Sequence, residues 1–397
     1  MVLLDWEKAF DKVKHDKLFE ALYRMNVPDK FNNVIKALYR TPTFKVELEN
    51  MESQWTRQQT GIRQGCSISP YLFLIVMTCL FHDIHEGDKL KLAEQRVIGM
   101  ETDEILYADD TICVTQDEKA MNRLLKAIEK GGAEYGLKLN KKKCEYINFG
   151  EAGPVFFSDR TRVPLQTEVK YLGCNMNNKA DPAKEVSRRI KECMATLNKL
   201  HVYLYNSDNT ITRKLQMFNA ILRSKVMYGL ETIVMNTAVL DRLDVFQLKC
   251  LRKILKLPTT YMNREYSNDY IRMTINQKLK DYATTNGKTY KPFMALTEYH
   301  KAQRIKYLQL LIVRGEDEPG TAVTFDHHTL QPIDHGKKRI GQPRVNWYIR
   351  TLEDLWTETK KNIDSVKFAS ALKLTNATHV KAIRDFSTRA YEKTLRK

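Results

Sequence analysis

No apolar run in this 397-residue chain is long enough to cross a bilayer; the longest, Tyr71 to Phe81, reads as a core helix. The start, with Asp5 and Glu7 in place at once, lacks the basic opening and small-residue cleavage site of a secretory signal. The seven cysteines, Cys66, Cys79, Cys113, Cys144, Cys174, Cys193 and Cys250, fall into no C-x-x-C or Cys/His zinc spacing. Most lie in apolar surroundings, which fits reduced, buried thiols and an intracellular protein of the nucleus or cytoplasm. Internal repeats and low-complexity tracts are also missing. These absences argue against a membrane protein, a disulfide scaffold and a pattern-built zinc site.

What the chain has in excess is positive charge. Sixty-five Lys and Arg against 48 Asp and Glu leave a net charge of +17. A folded chain so basic suits a polyanionic partner, most simply nucleic acid, through phosphate neutralisation and counterion release.

Against that background one acidic stretch stands out, Ile105-Leu106-Tyr107-Ala108-Asp109-Asp110-Thr111-Ile112-Cys113-Val114. Apolar, β-favouring residues flank an acidic pair, the pattern of a hairpin with Asp109 and Asp110 at or beside its tip. Asp-Asp turns are common because Asp tolerates left-handed backbone, so a plain solvated turn is one reading. Adjacent carboxylates also repel, and a divalent cation with a third acid relieves them.

Taken in order, Met1 to Leu4 reads as a buried strand leading into Asp5. A core strand at the very start wants neighbours on both sides, so an N-terminally truncated product is expected. Two amphipathic helices follow between residues 15 and 39, divided at Pro28-Asp29, then a strand at Phe44, Val46 and Leu48 that returns through Gln54 to Gln59. In Gly61-Ile62-Arg63-Gln64-Gly65-Cys66-Ser67-Ile68-Ser69-Pro70, the glycines allow close backbone approach to a ligand, with Ser69 capping a helix that Pro70 begins. The hairpin, a helix from about Met121 to Tyr135 ending at Gly136, a strand before Phe149 and another at Val169 to Cys174 complete the region. The outline is a split βαβ arrangement over an antiparallel sheet. After Asp181-Pro182 the pattern is helical and basic. Thr259 to Pro292 is polar and reads as linker or insertion, and the cluster Asp326-His327-His328 with Asp334-His335 as a polar loop.

Asp5 at the end of the first strand and Asp109 with Asp110 on the hairpin can converge on one sheet. Three hard oxygen ligands suit Mg²⁺, and a metal pair there suits phosphoryl or nucleotidyl transfer.

These residues carry a family resemblance. Asp5 to Asp11, GIRQGCSISPYLF from Gly61 to Phe73, YADD from Tyr107 to Asp110, GLKLNKKKCEY from Gly136 to Tyr146, and Tyr171-Leu172-Gly173 resemble, in order, the motifs of non-LTR (LINE-type) retrotransposon reverse transcriptases. Tyr228 to Thr232, Leu251 to Leu255 and Gly341 to Trp347 resemble landmarks further along the same proteins. The resemblance implies an α+β polymerase palm over residues 1–180, an all-α thumb over 181–258, a linker or insertion over 259–294 and a basic helical region over 295–397. It implies RNA-directed DNA polymerisation with an RNA template, a DNA primer, dNTPs and two Mg²⁺, or Mn²⁺ in their place.

By the same resemblance Asp5, Asp109 and Asp110 bind the metal. Lys143 protonates the leaving pyrophosphate, and Phe10 excludes a 2′-hydroxyl by bulk; Gln64, Gly65 and Tyr107 line the substrate. Plainer readings of Phe10 as core and Lys143 as a solvated lysine stand beside these. The family's fingers, which precede the first motif, and its endonuclease are not matched, and Leu74 stands where many relatives have a polar residue. A non-catalytic nucleic-acid-binding remnant is the rival reading, and an intron maturase a third.

Overall fold

The computed structural model describes residues 1–49, 51–87, 100, 103–150, 153–333, 346–359 and 377–395. The chain divides into two units, Met1–Lys179 and Ala180–Lys397.

The first unit is built on β1 (Val2–Leu4), whose Val2 and Leu4 are buried. Helices α1 (Ala9–Lys12), α2 (His15–Arg24) and α3 (Asp29–Tyr39) follow, the last two parted at Pro28 as their apolar spacing predicts. The expected strand and return are two small ladders: β2 (Thr43–Phe44) pairs with β5 (Thr56–Arg57), and β3 (Glu47–Leu48) with β4 (Met51–Glu52). Then come α4 (Ser69–Gly87), β6 (Glu104–Tyr107), β7 (Asp110–Cys113), α5 (Glu118–Glu134), β8 (Glu145–Ile147), β9 (Leu165–Gln166), β10 (Glu168–Tyr171) and β11 (Cys174–Asn177).

The main sheet has the order β6-β7-β1-β8-β9, so the first strand is central. It is antiparallel except for β8 and β9, which pair in parallel, a departure from the wholly antiparallel expectation. Ahead of β9, Phe156 bridges Arg162 and the Val163 N–H donates to the Val155 carbonyl at 2.9 Å, a local turn-back that precedes the parallel pairing with β8. Tyr171 and Cys174 likewise belong to a separate hairpin, β10 with β11, turning at Leu172 and Gly173 in left-handed backbone.

Helix α4 is apolar nearly all round, because it packs between α2 and α5 and buries Leu72, Phe73, Val76, Met77 and Leu80. It starts at Ser69 itself. The Ser69 hydroxyl donates to the Arg63 carbonyl at 2.5 Å and so fastens the preceding loop, where a cap was expected. Helix α5 is capped by Asp117, whose carboxylate accepts from the Ala120 N–H at 2.7 Å, and the chain turns off it at Gly136. At Gly136, φ is +85° and an added Cβ would lie 2.4 Å from the Lys12 carbonyl oxygen, so only glycine fits.

The described part of the second unit is helical: α6 (Pro182–Lys199), α7 (His201–Tyr205), α8 (Ile211–Met217) running through a π-helical turn Phe218–Arg223 into α9 (Ser224–Met227), α10 (Thr237–Leu255), α11 (Asn268–Thr285), α12 (Leu296–Arg314), α13 (Pro319–Ala322), α14 (Trp347–Thr359) and α15 (Ala377–Leu395). The stretch read as linker holds α11, capped by the Ser267 hydroxyl and seated through buried Ile271 and Ile275. Helix α12 enters two apolar cores, one through Leu296 beside Phe218, Phe246 and Leu243, the other through Leu308 and Leu311 beside Tyr348 and Trp356. Where it passes the short turn Leu230–Thr232, His300 Nε2 donates to the Leu230 carbonyl at 2.8 Å. Trp347 Nε1 donates to the Glu231 carbonyl of the same turn, also at 2.8 Å.

All seven cysteines are free thiols, Cys66 and Cys174 half-buried and the others buried. The Asp334-His335 half of the polar-loop reading, and Gly341 to Val345, lie outside the described residues. Among the described residues no helix is long and apolar enough to cross a membrane.

Candidate active site

The hairpin turn consists of Ala108 and Asp109, closed by the Tyr107–Asp110 pair. Ala108 holds left-handed backbone, φ +54°, where glycine is the usual occupant of a two-residue turn. Asp109 therefore stands at the tip and Asp110 opens β7. Strand β1 pairs Leu4 with Thr111, so one further step along that register sets Asp5 opposite Asp110. The two acids thus meet at one end of the central strand pair.

Asp5 is held through its backbone. Its carbonyl accepts from the Asn140 N–H at 2.7 Å and from the Cys144 thiol at 4.0 Å, and the next residue, Trp6, donates its indole N–H to the Thr111 hydroxyl at 3.1 Å. Lys143 Nζ lies 3.9 Å from Asp5 Oδ2. Burial, then the charges of Asp109 and Asp5, push the Asp110 carboxyl above the usual carboxylate range. Tyr171 is close enough that Asp110 adds to the upward push burial exerts on its hydroxyl, and that buried hydroxyl has no hydrogen-bond partner among the described residues.

A cavity of about 450 Å³ opens on this end of the sheet, and Asp5, Asp109, Lys143, Phe10 and Gln64 all line it. Asp110, Gly65 and Tyr107 do not. Phe10 stacks on Phe73, ring centroids 4.6 Å apart, so it is both packed on the core and part of the cavity wall. Gln64 Nε2 donates to Asp11 Oδ1 at 2.9 Å. Gly61 serves its own chain before any ligand: a Cβ there would lie 2.6 Å from the Asp11 carbonyl oxygen. Gly65, φ +79°, has open space where a Cβ would go.

Lys8 and Asn140 also line the cavity and were not singled out in the sequence. Lys8 is exposed in left-handed backbone, φ 50° and ψ 51°, at the entry to α1, and no residue pattern signals that conformation for a lysine. Among the described residues no three His, Cys, Asp or Glu side chains stand close enough together to hold a metal ion as placed.

Residues 1–176 match the family described as reverse transcriptase (RNA-dependent DNA polymerase). The part of the chain that holds the sheet, the acidic hairpin and the cavity is thus a reverse transcriptase domain. Its relatives include proteins of retrotransposable and mobile elements. The Pol polyprotein of the type-1 element R2 from Nasonia vitripennis is 28% identical over 153 residues, 38% of this chain and 14% of that protein. The RNA-directed DNA polymerase from mobile element jockey of Drosophila funebris is 22% identical over 286 residues, 70% of this chain and 31% of that one. The chain therefore spans less than a third of the length of either relative. Among solved structures, apo telomerase from Candida tropicalis aligns over 94% of this chain and 52% of that one, with 11% identity and a TM-score of 0.38.

Proposed function

We propose that the protein is an RNA-directed DNA polymerase of a non-LTR retrotransposon, with residues 1–180 as palm, 181–258 as thumb and 295–397 as a basic helical region. The observation that carries this is the shared cavity: Asp5 with Phe10, Gln64, Asp109 and Lys143, drawn from four separate sequence motifs, line one space. Asp5, Asp109 and Asp110 offer the hard oxygen donors that Mg²⁺ takes, and the repulsion on Asp110 is what a cation would relieve. Holding it needs their side chains to close in from where they stand. When bound, a pair of such ions supplies charge neutralisation to the attacking 3′-hydroxyl and to the leaving phosphate.

The chain's own groups do the rest. Phe10, braced by Phe73, would stand against the sugar and exclude a 2′-hydroxyl by bulk. Lys143, beside Asp5, is an ammonium placed to stabilise and protonate the leaving pyrophosphate. The excess of basic residues supplies attraction for an RNA template and a DNA primer. Extension of a DNA primer on an RNA template, with Mg²⁺ and either dNTPs or NTPs, tests the reading: dNTP incorporation is expected, and a folded sample that incorporates nothing sinks it. The second reading, a nucleic-acid-binding remnant, draws on the spread of the acids, and gains if salt-sensitive binding survives without incorporation.

A further inference from the structure

A second cleft, of about 410 Å³, lies between α4 and α5 and shares no lining residue with the acidic cavity. Its floor is apolar: Ile84, Ala127 and Gly131. Gly131 makes it possible, since a Cβ there would already lie 3.1 Å from Ile84 Cγ1. Its rim is Arg123, Lys126 and Lys130, all exposed on one face of α5. The opposite face, with Leu124, Leu125 and Ile128, is buried in the core, so the row faces outward.

Three facts separate this row from an ordinary solvated helix face. Like charges at i, i+3 and i, i+4 weaken a helix, and the acid between Lys126 and Lys130, Glu129, is already taken by Lys141 at 2.9 Å. None of the three makes an ion pair or hydrogen bond among the described residues. Of the two acids in the cleft wall, Glu134 is exposed, and Asp83 is already engaged: Arg24 grips it at 2.5 and 2.9 Å, the Tyr135 hydroxyl donates to it at 2.6 Å, and its carboxyl is held below the usual range, by the Arg24 bond first. Three exposed cations against one exposed carboxylate leave net positive rim charge for something outside the chain.

We propose that this cleft binds single-stranded nucleic acid, a base lying on the apolar floor and the phosphates along Arg123, Lys126 and Lys130. The row covers about 10 Å at the helical rise, a length that two or three phosphates of one strand span. The volume falls in the range of small-ligand sites, about 300–1,000 Å³. A flat apolar surface beside a line of cations suits a nucleotide, which joins a base to a phosphate; an acidic peptide would leave the floor bare. The site is separate from the acids and does not rest on the polymerase reading.

The experiment is fluorescence anisotropy of a short fluorescein-labelled oligouridylate on the full chain, wild type and R123A/K126A/K130A, across a salt series. The exposed positions predict an unchanged melting temperature. Affinity is expected to fall about tenfold or more, and the slope of log K against log salt to become shallower by about 2, from about 0.7 per phosphate released. Unchanged affinity and slope overturn the site. Photo-crosslinking of 4-thiouridine RNA to the wild-type protein is expected to mark the segment from Ile84 to Gly87 or from Arg123 to Tyr135, and marks confined elsewhere overturn it. Polyglutamate displacing the RNA as well as polyuridylate does overturns the commitment to nucleic acid. The cleft shares no lining residue with the acidic cavity, so failed extension with the slope difference kept, and a lost slope difference with extension kept, stay distinguishable.

Discussion

Asp110 bears the strain of the acidic cluster, because burial and two neighbouring carboxylates all oppose its ionisation. A carboxyl raised in this way lends stability at pH values below its unfolded pKa and withdraws it as pH rises through the folded one. In chelator at neutral pH, Asp110→Asn should therefore melt slightly higher than wild type, and it should lose part of any rise in melting temperature that Mg²⁺ gives. A lower melting temperature in chelator would show that the repulsion is not felt. Asp109 stands at the turn tip and on the cavity; under the proposed function, Asp109→Asn should lower primer extension by about 10³-fold or more with RNA binding intact, read by single-turnover extension and anisotropy. At this scale the sequence was informative about which charged residues share a place, as with Asp5 and Asp109 on one cavity. It was silent where backbone conformation decides. Nothing about Lys8 in its run of residues announces left-handed backbone, and Gly61 was credited to ligand approach when the contact it permits is with Asp11.

Among elements, the strongly periodic helices α2, α3 and α5 were legible, and α11 was not. Helix α11 buries only Ile271, Ile275 and Ala283, so its apolar stripe is too thin to show among polar neighbours, and its place is set by the core it meets. The parallel partner β9 escaped for a related reason: two residues joined to a sheet by backbone bonds leave no side-chain signature. The grip of α12 on the Leu230–Thr232 turn yields a pH prediction. Burial lowers the pKa of His300 from its ordinary 6.5, so the folded state keeps the ring neutral. That stability is present above pH 6.5 and is lost as pH falls from there toward the folded value, as the unfolded chain takes the proton first. Wild type should lose more melting temperature between pH 7.5 and 5.5 than His300→Gln, whose amide can still donate to Leu230. Equal losses in thermal melts at the two pH values would contradict this.

For the whole molecule, the acidic cavity is a small negative spot on a chain of net charge +17. Nucleic-acid affinity should then be dominated by phosphate contacts and fall at least about tenfold between 50 and 200 mM salt, measured by anisotropy with single-stranded RNA. A flat salt profile would mean that the positive charge is only a solubilising surface. The division near residue 180 follows a visible change in the sequence, from mixed strand and helix patterns to basic helices after Asp181-Pro182. What the sequence hid at this scale was the long reach of α12, which ties two apolar cores together within the second unit.

The seven thiols have a practical consequence. Burial pushes Cys144 and Cys193 up to about 11 and Cys250 to about 12, and raises Cys79 and Cys113, so in the native state these five stay protonated and shielded from alkylating reagents. Cys66, in the loop before α4, and Cys174, at the start of β11, are half-buried and left as the reactive pair. The unaltered protein thus carries two built-in attachment points for a dye pair within the reverse transcriptase domain. Energy transfer between them would report any movement of the Gly61–Pro70 loop against the β10–β11 hairpin, with no cysteine added or removed.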